Sequence, residues 1–186
     1  MCPEIQDTIV AVSTPSGRSL HAIIKISGQE AIHCIKDFFV SASHLDLETA
    51  PSYPSVQGHL YIPEEHINIP VVLYIMKKPY SYTKEDVVEI HTIGSPPLLD
   101  MLLNAFLSKG IQTKRGIRLS QPGEFTKRAF LHGRIDLAQA EATMRIIRAQ
   151  TDLELKAAIA HLTGDVSQEI RRIQDDSISL CSHIEA

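Results

Sequence analysis

The sequence predicts an α+β protein: an N-terminal mixed β-sheet domain, barrel-like and carrying two helices, followed by an all-α segment. Three observations carry this. Short runs rich in β-branched residues, alternating with period two, recur as far as Leu119. Two patterns with helical spacing interrupt them, near Ile32–Phe39 and Leu98–Phe106. From Ser120 to the end, every apolar series has helical spacing. The boundary therefore falls after Leu119, with residues 1–119 as the α+β domain and 120–186 as the first part of a helical domain.

Asp7–Ser13 (DTIVAVS) and His21–Ser27 (HAIIKIS) read as strands joined by the turn-rich TPSGRS. Alternation puts Lys25 on the face of Ile23, opposite Ile24 and Ile26. Ser27 with Glu30 reads as a capping box for a helix with the stripe Ile32, Ile35, Phe39. Ser41–Pro54 reads as a polar loop. Val56–Ile62 and Ile69–Met76 read as strands joined through PEEHIN as a hairpin. Pro70–Met76 is apolar on both alternating faces, as a strand covered on both sides would be. One cover is the helix Leu98–Phe106; the other is a partner subunit or the Ile32–Phe39 helix. Asp86–Ile93 alternates, with Val88 and Ile90 on one face and Val87, Glu89 and His91 on the other. Ser95 and Pro96 open a helix that Gly110 ends, and Ile111–Leu119 is the last strand.

In QPGEFTKRAFLHGRIDLAQAEA (Gln121–Ala142), Ser120 and Pro122 open a helix, and Phe125, Ala129 and Phe130 have helical spacing. Gly133 reads as a C′ stop, and Asp136 with Gln139 as a capping box that restarts a helix. Arg134 sits at that elbow. Two long helices follow, with stripes Met144, Ile147, Thr151, Leu155, Ala158, Leu162 and Val166, Ile170, Ile173, Ser177, Leu180, Ile184. Their stripes cannot all be buried against each other, so the chain reads as a fragment cut inside a helical domain.

Composition bounds the chemistry. A chain of 186 residues with 44% hydrophobic residues can bury a core in one or two domains. A net charge of −4 suggests no polyanion-binding surface. Cys2, Cys34 and Cys181 are odd in number and lack CxxC spacing, which fits a reducing compartment and excludes a disulfide scaffold. No HExxH or similar ligand pair occurs among the histidines, so no metal site is expected. The start is no signal peptide and no apolar run spans a bilayer, so the reading is a cytoplasmic protein without a membrane. No GxxxxGK[ST], GxGxxG or GxSxG occurs. What remains are polar residues that break apolar patterns: Lys25 and Glu89 in strands, and Arg134 at the elbow. A buried, unpaired Glu89 would cost several kcal/mol, so either its face is solvated or it has a partner. Two cations and a carboxylate suit a ligand with an amidine-like edge and an anionic tail, a folate being one option among several.

DTIVAVSTPSGR…IIKISG, SYTKEDVVEIH and QPGEFTKRAFLHGRIDLAQAEA together resemble the N-terminal part of the MnmE (TrmE) tRNA-modification GTPases. The resemblance implies a folate-binding α+β domain and the opening helices of a helical domain into which a GTPase domain is inserted. It places the family's folate-contacting positions on Lys25, Glu89 and Arg134. It implies a tetrahydrofolate derivative (5-formyl- or methylene-tetrahydrofolate) as cofactor, with GTP, Mg and K ions in the full-length protein. It also implies a homodimer through the N-terminal domain, a flavoprotein partner in modifying the wobble uridine, and tRNA in the full complex. On this reading the fragment is not catalytic alone. Where the family has Arg this chain has Lys25, and where it often has Lys this chain has Arg134. Its TGED is TKED here, with Lys84 in place of glycine, and its HGG is Ile93-Gly94-Ser95. Two other classes compete: a stand-alone folate-dependent aminomethyltransferase-like protein, and a structural assembly module without ligand.

Overall fold

A computed structural model describes residues 7–43, 45–52, 55–113 and 116–185; Cys2 and the side chain of Val166 lie outside the described residues. The chain forms two compact units, Met1–Arg128 and Ala129–Ala186.

The first unit contains β1 (Thr8–Val12), β2 (Ser19–Ser27), α1 (Ala31–Lys36), β3 (Phe39–Ser41), β4 (Ser55–Ile62), β5 (Ile67–Met76), β6 (Val87–Gly94), α2 (Pro96–Thr113) and β7 (Ile117–Leu119). The strands make one seven-stranded sheet in the order β3-β4-β5-β6-β2-β1-β7. Pairing is antiparallel throughout except for β1 with β7, which is parallel. Between β4 and β5 the turn ends on His66 at φ 53°, which supplies the left-handed residue of the hairpin.

Alternation sorts the sheet into two faces. Ile24, Ile26, Leu73, Ile75, Val88 and Ile90 are buried in one core with Ile32 and Ile35 of α1, Phe38, and Leu102 and Phe106 of α2. The Phe38 and Phe106 rings meet edge to face, 5.4 Å apart. Both helices thus cover the same face, so α1 is not the cover for the other side of β5. On that other face Val72 and Met76 are half-buried and Tyr74 is exposed.

Four local expectations are corrected. Ser27 and Glu30 form no capping box: Glu30 occupies the N-cap without a side-chain cap bond, and Ser27 Oγ is engaged by Thr83 and Glu85 instead. The first helix does not reach Phe39: α1 ends at Lys36, and Phe39 opens the short strand Phe39–Ser41 that pairs with β4 and takes Ser41 from the expected loop. Gly110 does not end α2, which runs to Thr113, so the last strand shortens to Ile117–Leu119. A Cβ at Gly110 would lie 2.7 Å from Ile117 Cβ, so this glycine lets strand and helix approach rather than stopping the helix. The fourth correction concerns the helical tail.

There, α3 (Glu124–Leu131) is followed by three helices rather than two: α4 (Leu137–Arg148), α5 (Asp152–Thr163) and α6 (Asp165–Glu185). Thr151 is not part of an apolar stripe. It is the N-cap of α5, its hydroxyl accepting from Glu154 N at 3.2 Å while Glu154 Oε2 accepts from Gln150 N at 2.9 Å. Capping chemistry overrides hydrophobic period here. Gly164, in the left-handed region at φ 87°, then ends α5. Ala142 and Ala158 are buried in this unit, and Gln139 Nε2 donates to Leu162 O at 3.0 Å. Ile170, Ile173, Leu180 and Ile184 of α6 are exposed. No helix among the described residues is long and apolar enough to cross a membrane.

Candidate ligand site on the open face of the sheet

The sheet face away from α1 and α2 carries the chemistry. Register aligns Lys25 of β2 with Glu89 of β6 and Glu89 with Tyr74 of β5, so three strands contribute one row. Lys25 Nζ lies 3.0 Å from Glu89 Oε1, and both side chains are about a quarter exposed, at 23% and 24%. The partner that a mid-strand carboxylate needs is therefore the mid-strand lysine directly opposite it on the neighbouring strand β2. The pair remains open to solvent and to ligands. The neighbouring row holds His91 beside Val72 and Ile23. His91 Nε2 is 3.5 Å from Glu89 Oε2, and its Nδ1 is 3.0 Å from His21 Nε2. The His91 ring also lies against the Tyr74 ring, with centroids 4.6 Å apart.

The α3 helix supplies an apolar wall: the Phe125 ring centre is 5.9 Å from Lys25 Nζ. What holds α3 there is an ion cluster. Arg128, 2% exposed, donates through Nη1 to Asp7 O (2.7 Å) and Glu85 Oε1 (3.1 Å). Its Nη2 donates to Asp7 Oδ1 (2.6 Å) and Glu124 Oε1 (3.0 Å). Arg118 of β7 grips Glu124 in bidentate fashion, at 2.9 and 2.7 Å, and reaches Asp7 Oδ2 through Nε. Burial pushes the Glu124 carboxyl up. The Arg118 guanidinium, the Gln121 N–H and Arg128 outweigh it and bring it down to about 2. Arg118 is correspondingly raised, chiefly by its bond to Glu124.

The same cluster orders the Lys77–Asp86 loop. Glu85 accepts from Arg128 and from Ser27 Oγ (2.7 Å), Ser27 Oγ and Thr83 Oγ1 are 2.7 Å apart, and Tyr82 Oη donates to Thr126 Oγ1 at 3.4 Å. Within this loop Lys84 adopts φ 57°, a conformation that glycine enters without strain. That is a physical reason for glycine at this position in the TGED pattern.

Of the three residues singled out from sequence, the structure joins Lys25 and Glu89 in a direct pair. Arg134 belongs to the second unit, exposed at the α3–α4 elbow. That elbow has the expected caps: Gly133 at φ 66° donates to Phe130 O, Arg134 N donates to Ala129 O, and Asp136 and Gln139 complete a reciprocal box. The ion cluster and the His21–His91 pair were missed by sequence reasoning. Glu124 and Arg128 at i,i+4 gave a faint signal for one edge of the cluster; nothing local pointed to Asp7 or Glu85.

Residues 8–134 match the family described as GTP-binding protein TrmE N-terminus. Among curated proteins, the chain is 41% identical over 182 residues to a tRNA modification GTPase MnmE of Carboxydothermus hydrogenoformans, covering 97% of this chain and 38% of that protein. It is 40% identical over 180 residues to that of Lactiplantibacillus plantarum, covering 96% and 37%. With that of Thermoanaerobacter pseudethanolicus the identity is 41% over 179 residues, covering 96% and 38%. The chain thus spans less than two-fifths of the length of these relatives.

Proposed function

The chain belongs to the TrmE N-terminal family, and from that membership we propose that it is the tetrahydrofolate-binding and dimerisation part of a longer tRNA-modification GTPase. The observation that carries the folate reading is Glu89: a carboxylate in mid-strand, on the sheet face away from α1 and α2, held by Lys25 yet a quarter exposed. A reduced pterin presents an N–H beside an exocyclic NH₂. One carboxylate accepts both in a charge-assisted pair, and the second lone pair on each oxygen leaves room for Lys25 to stay bound. Lys25 supplies local positive charge, Phe125 an apolar surface for a flat ring, and Arg134 a cation for the anionic glutamate tail. These residue types fit a 5-formyl- or methylene-tetrahydrofolate, which would supply the one-carbon unit.

In this reading the chain presents the carbon carrier, and a flavoprotein partner and tRNA act with the longer protein at the wobble uridine. GTP, Mg and K ions belong to the GTPase part of that protein, because this sequence carries no phosphate-binding loop. Titration of 5-formyltetrahydrofolate tests the assignment. Replacing Glu89 by Gln removes a charge-assisted bidentate pair and should cost ~2–4 kcal/mol, roughly two to three decades in Kd. Equal affinity of the Glu89→Gln and unmutated chains would remove Glu89 from the site.

A further inference from the structure

We propose that His91, locked by His21, is the positioning residue that sets the acceptor geometry of Glu89, and so tunes the site for a flat heterocycle with two adjacent N–H donors. The inference rests on the folate reading for its ligand, but its geometry stands on the protein alone. Glu89 is bracketed: Oε1 faces Lys25 at 3.0 Å and Oε2 faces His91 Nε2 at 3.5 Å. A carboxylate on a flexible side chain rotates about its last bond. Two donors, one at each oxygen, hold its plane and leave the outer lone pairs side by side for a ligand.

The histidine chain has a direction. The carboxylate accepts only, so His91 Nε2 must carry the proton that faces it. In the neutral ring Nδ1 is then an acceptor, and His21 Nε2, 3.0 Å away, must donate. The order His21→His91→Glu89 is the one arrangement of two neutral rings in which every facing pair has one donor and one acceptor. Tyr74, its ring centre 4.6 Å from that of His91, and the His21 ring at 4.9 Å limit the tilt of His91. Lys25, Glu89 and His91 are placed by the pairing of β2 with β6, and His21 lies on β2 where that register shifts, between Ser19 and Ala22. Besides the groups named, Phe125 of α3 lies over Lys25; it brings no charge.

Two measurements on the full chain test this. First, ¹⁵N shifts of the imidazoles in the free protein should show His91 as the Nε2–H tautomer, and His21→Leu should abolish that fixed tautomer. Second, His91→Leu should weaken 5-formyltetrahydrofolate about tenfold, while His91→Gln, which keeps a donor at the Nε2 position, stays within about threefold of the unmutated chain. Thermal melts of the variants establish that each is folded. A His91 found as the Nδ1–H tautomer overturns the proposal, as does a folded His91→Leu chain with unchanged affinity, or a Gln variant as weak as the Leu one. Should the unmutated chain bind no folate, the proposed function falls and the tautomer alone decides: Nε2–H upholds the positioning of Glu89, and Nδ1–H ends it.

Discussion

Glu124→Gln converts the buried ion cluster into a measurable pH dependence. Glu124 is 8% exposed and accepts from Arg118 Nη1 and Nη2, from Arg128 Nη2 and from Gln121 N. Its carboxyl lies at about 2 in the folded chain against an ordinary 4.5. A depressed carboxyl stabilises the fold above its unfolded value, and that stability is lost as pH falls through the folded one. The difference of about 2.5 units corresponds to ~3 kcal/mol at about pH 7. By the same linkage less than half of this remains at about pH 3, so ~2 kcal/mol is lost between the two. The gap in unfolding free energy between the unmutated and Glu124→Gln chains should therefore narrow by ~2 kcal/mol on acidification from about pH 7 to about pH 3. Urea titration followed by tyrosine fluorescence reads this directly. The chain has five tyrosines and no tryptophan, all five within the first unit. A gap that stays constant across this range would refute the reasoning, because it would mean Glu124 contributes packing and not charge.

Three further outcomes are expected. Lys84→Gly relieves a left-handed residue in the Lys77–Asp86 loop and should raise the urea midpoint by the equivalent of about 0.5–1 kcal/mol; a lower midpoint would contradict it. Gly58→Ala places a methyl group against the Phe39 ring and against Val40 O, a backbone atom that cannot step aside, and should cost about 1–3 kcal/mol in the same titration. An unchanged midpoint would show that β3 is loosely held. The proposed homodimer should appear by sedimentation, and Val72→Glu on the open face should break it while Ile173→Glu on α6 leaves it intact. The reverse pattern would assign association to the exposed α6 face.

Sequence alone determined what is local or periodic. Alternation is a property of the backbone pleat, so it correctly put Lys25 with Ile23, and Glu89 with His91, on one face before any strand order was known. The Gly133 stop and the Asp136–Gln139 box were legible because a cap is closed by residues within one helical turn. Thr151 with Glu154 carried the same kind of signal, masked by a hydrophobic period that ran through it. Only the tertiary structure decided which polar residues meet. Arg118 and Asp7 are 111 residues apart, Arg128 and Asp7 are 121, and His21 and His91 are 70. No periodicity encodes such pairs. They follow from β2 lying between β1 and β6, and from β7 returning parallel to β1 so that Arg118 and Glu124 arrive beside Asp7. Ser27 shows the same limit in reverse: its spacing to Glu30 suits a cap, but topology brings Thr83 and Glu85 within 2.7 Å, and the hydroxyl goes to them.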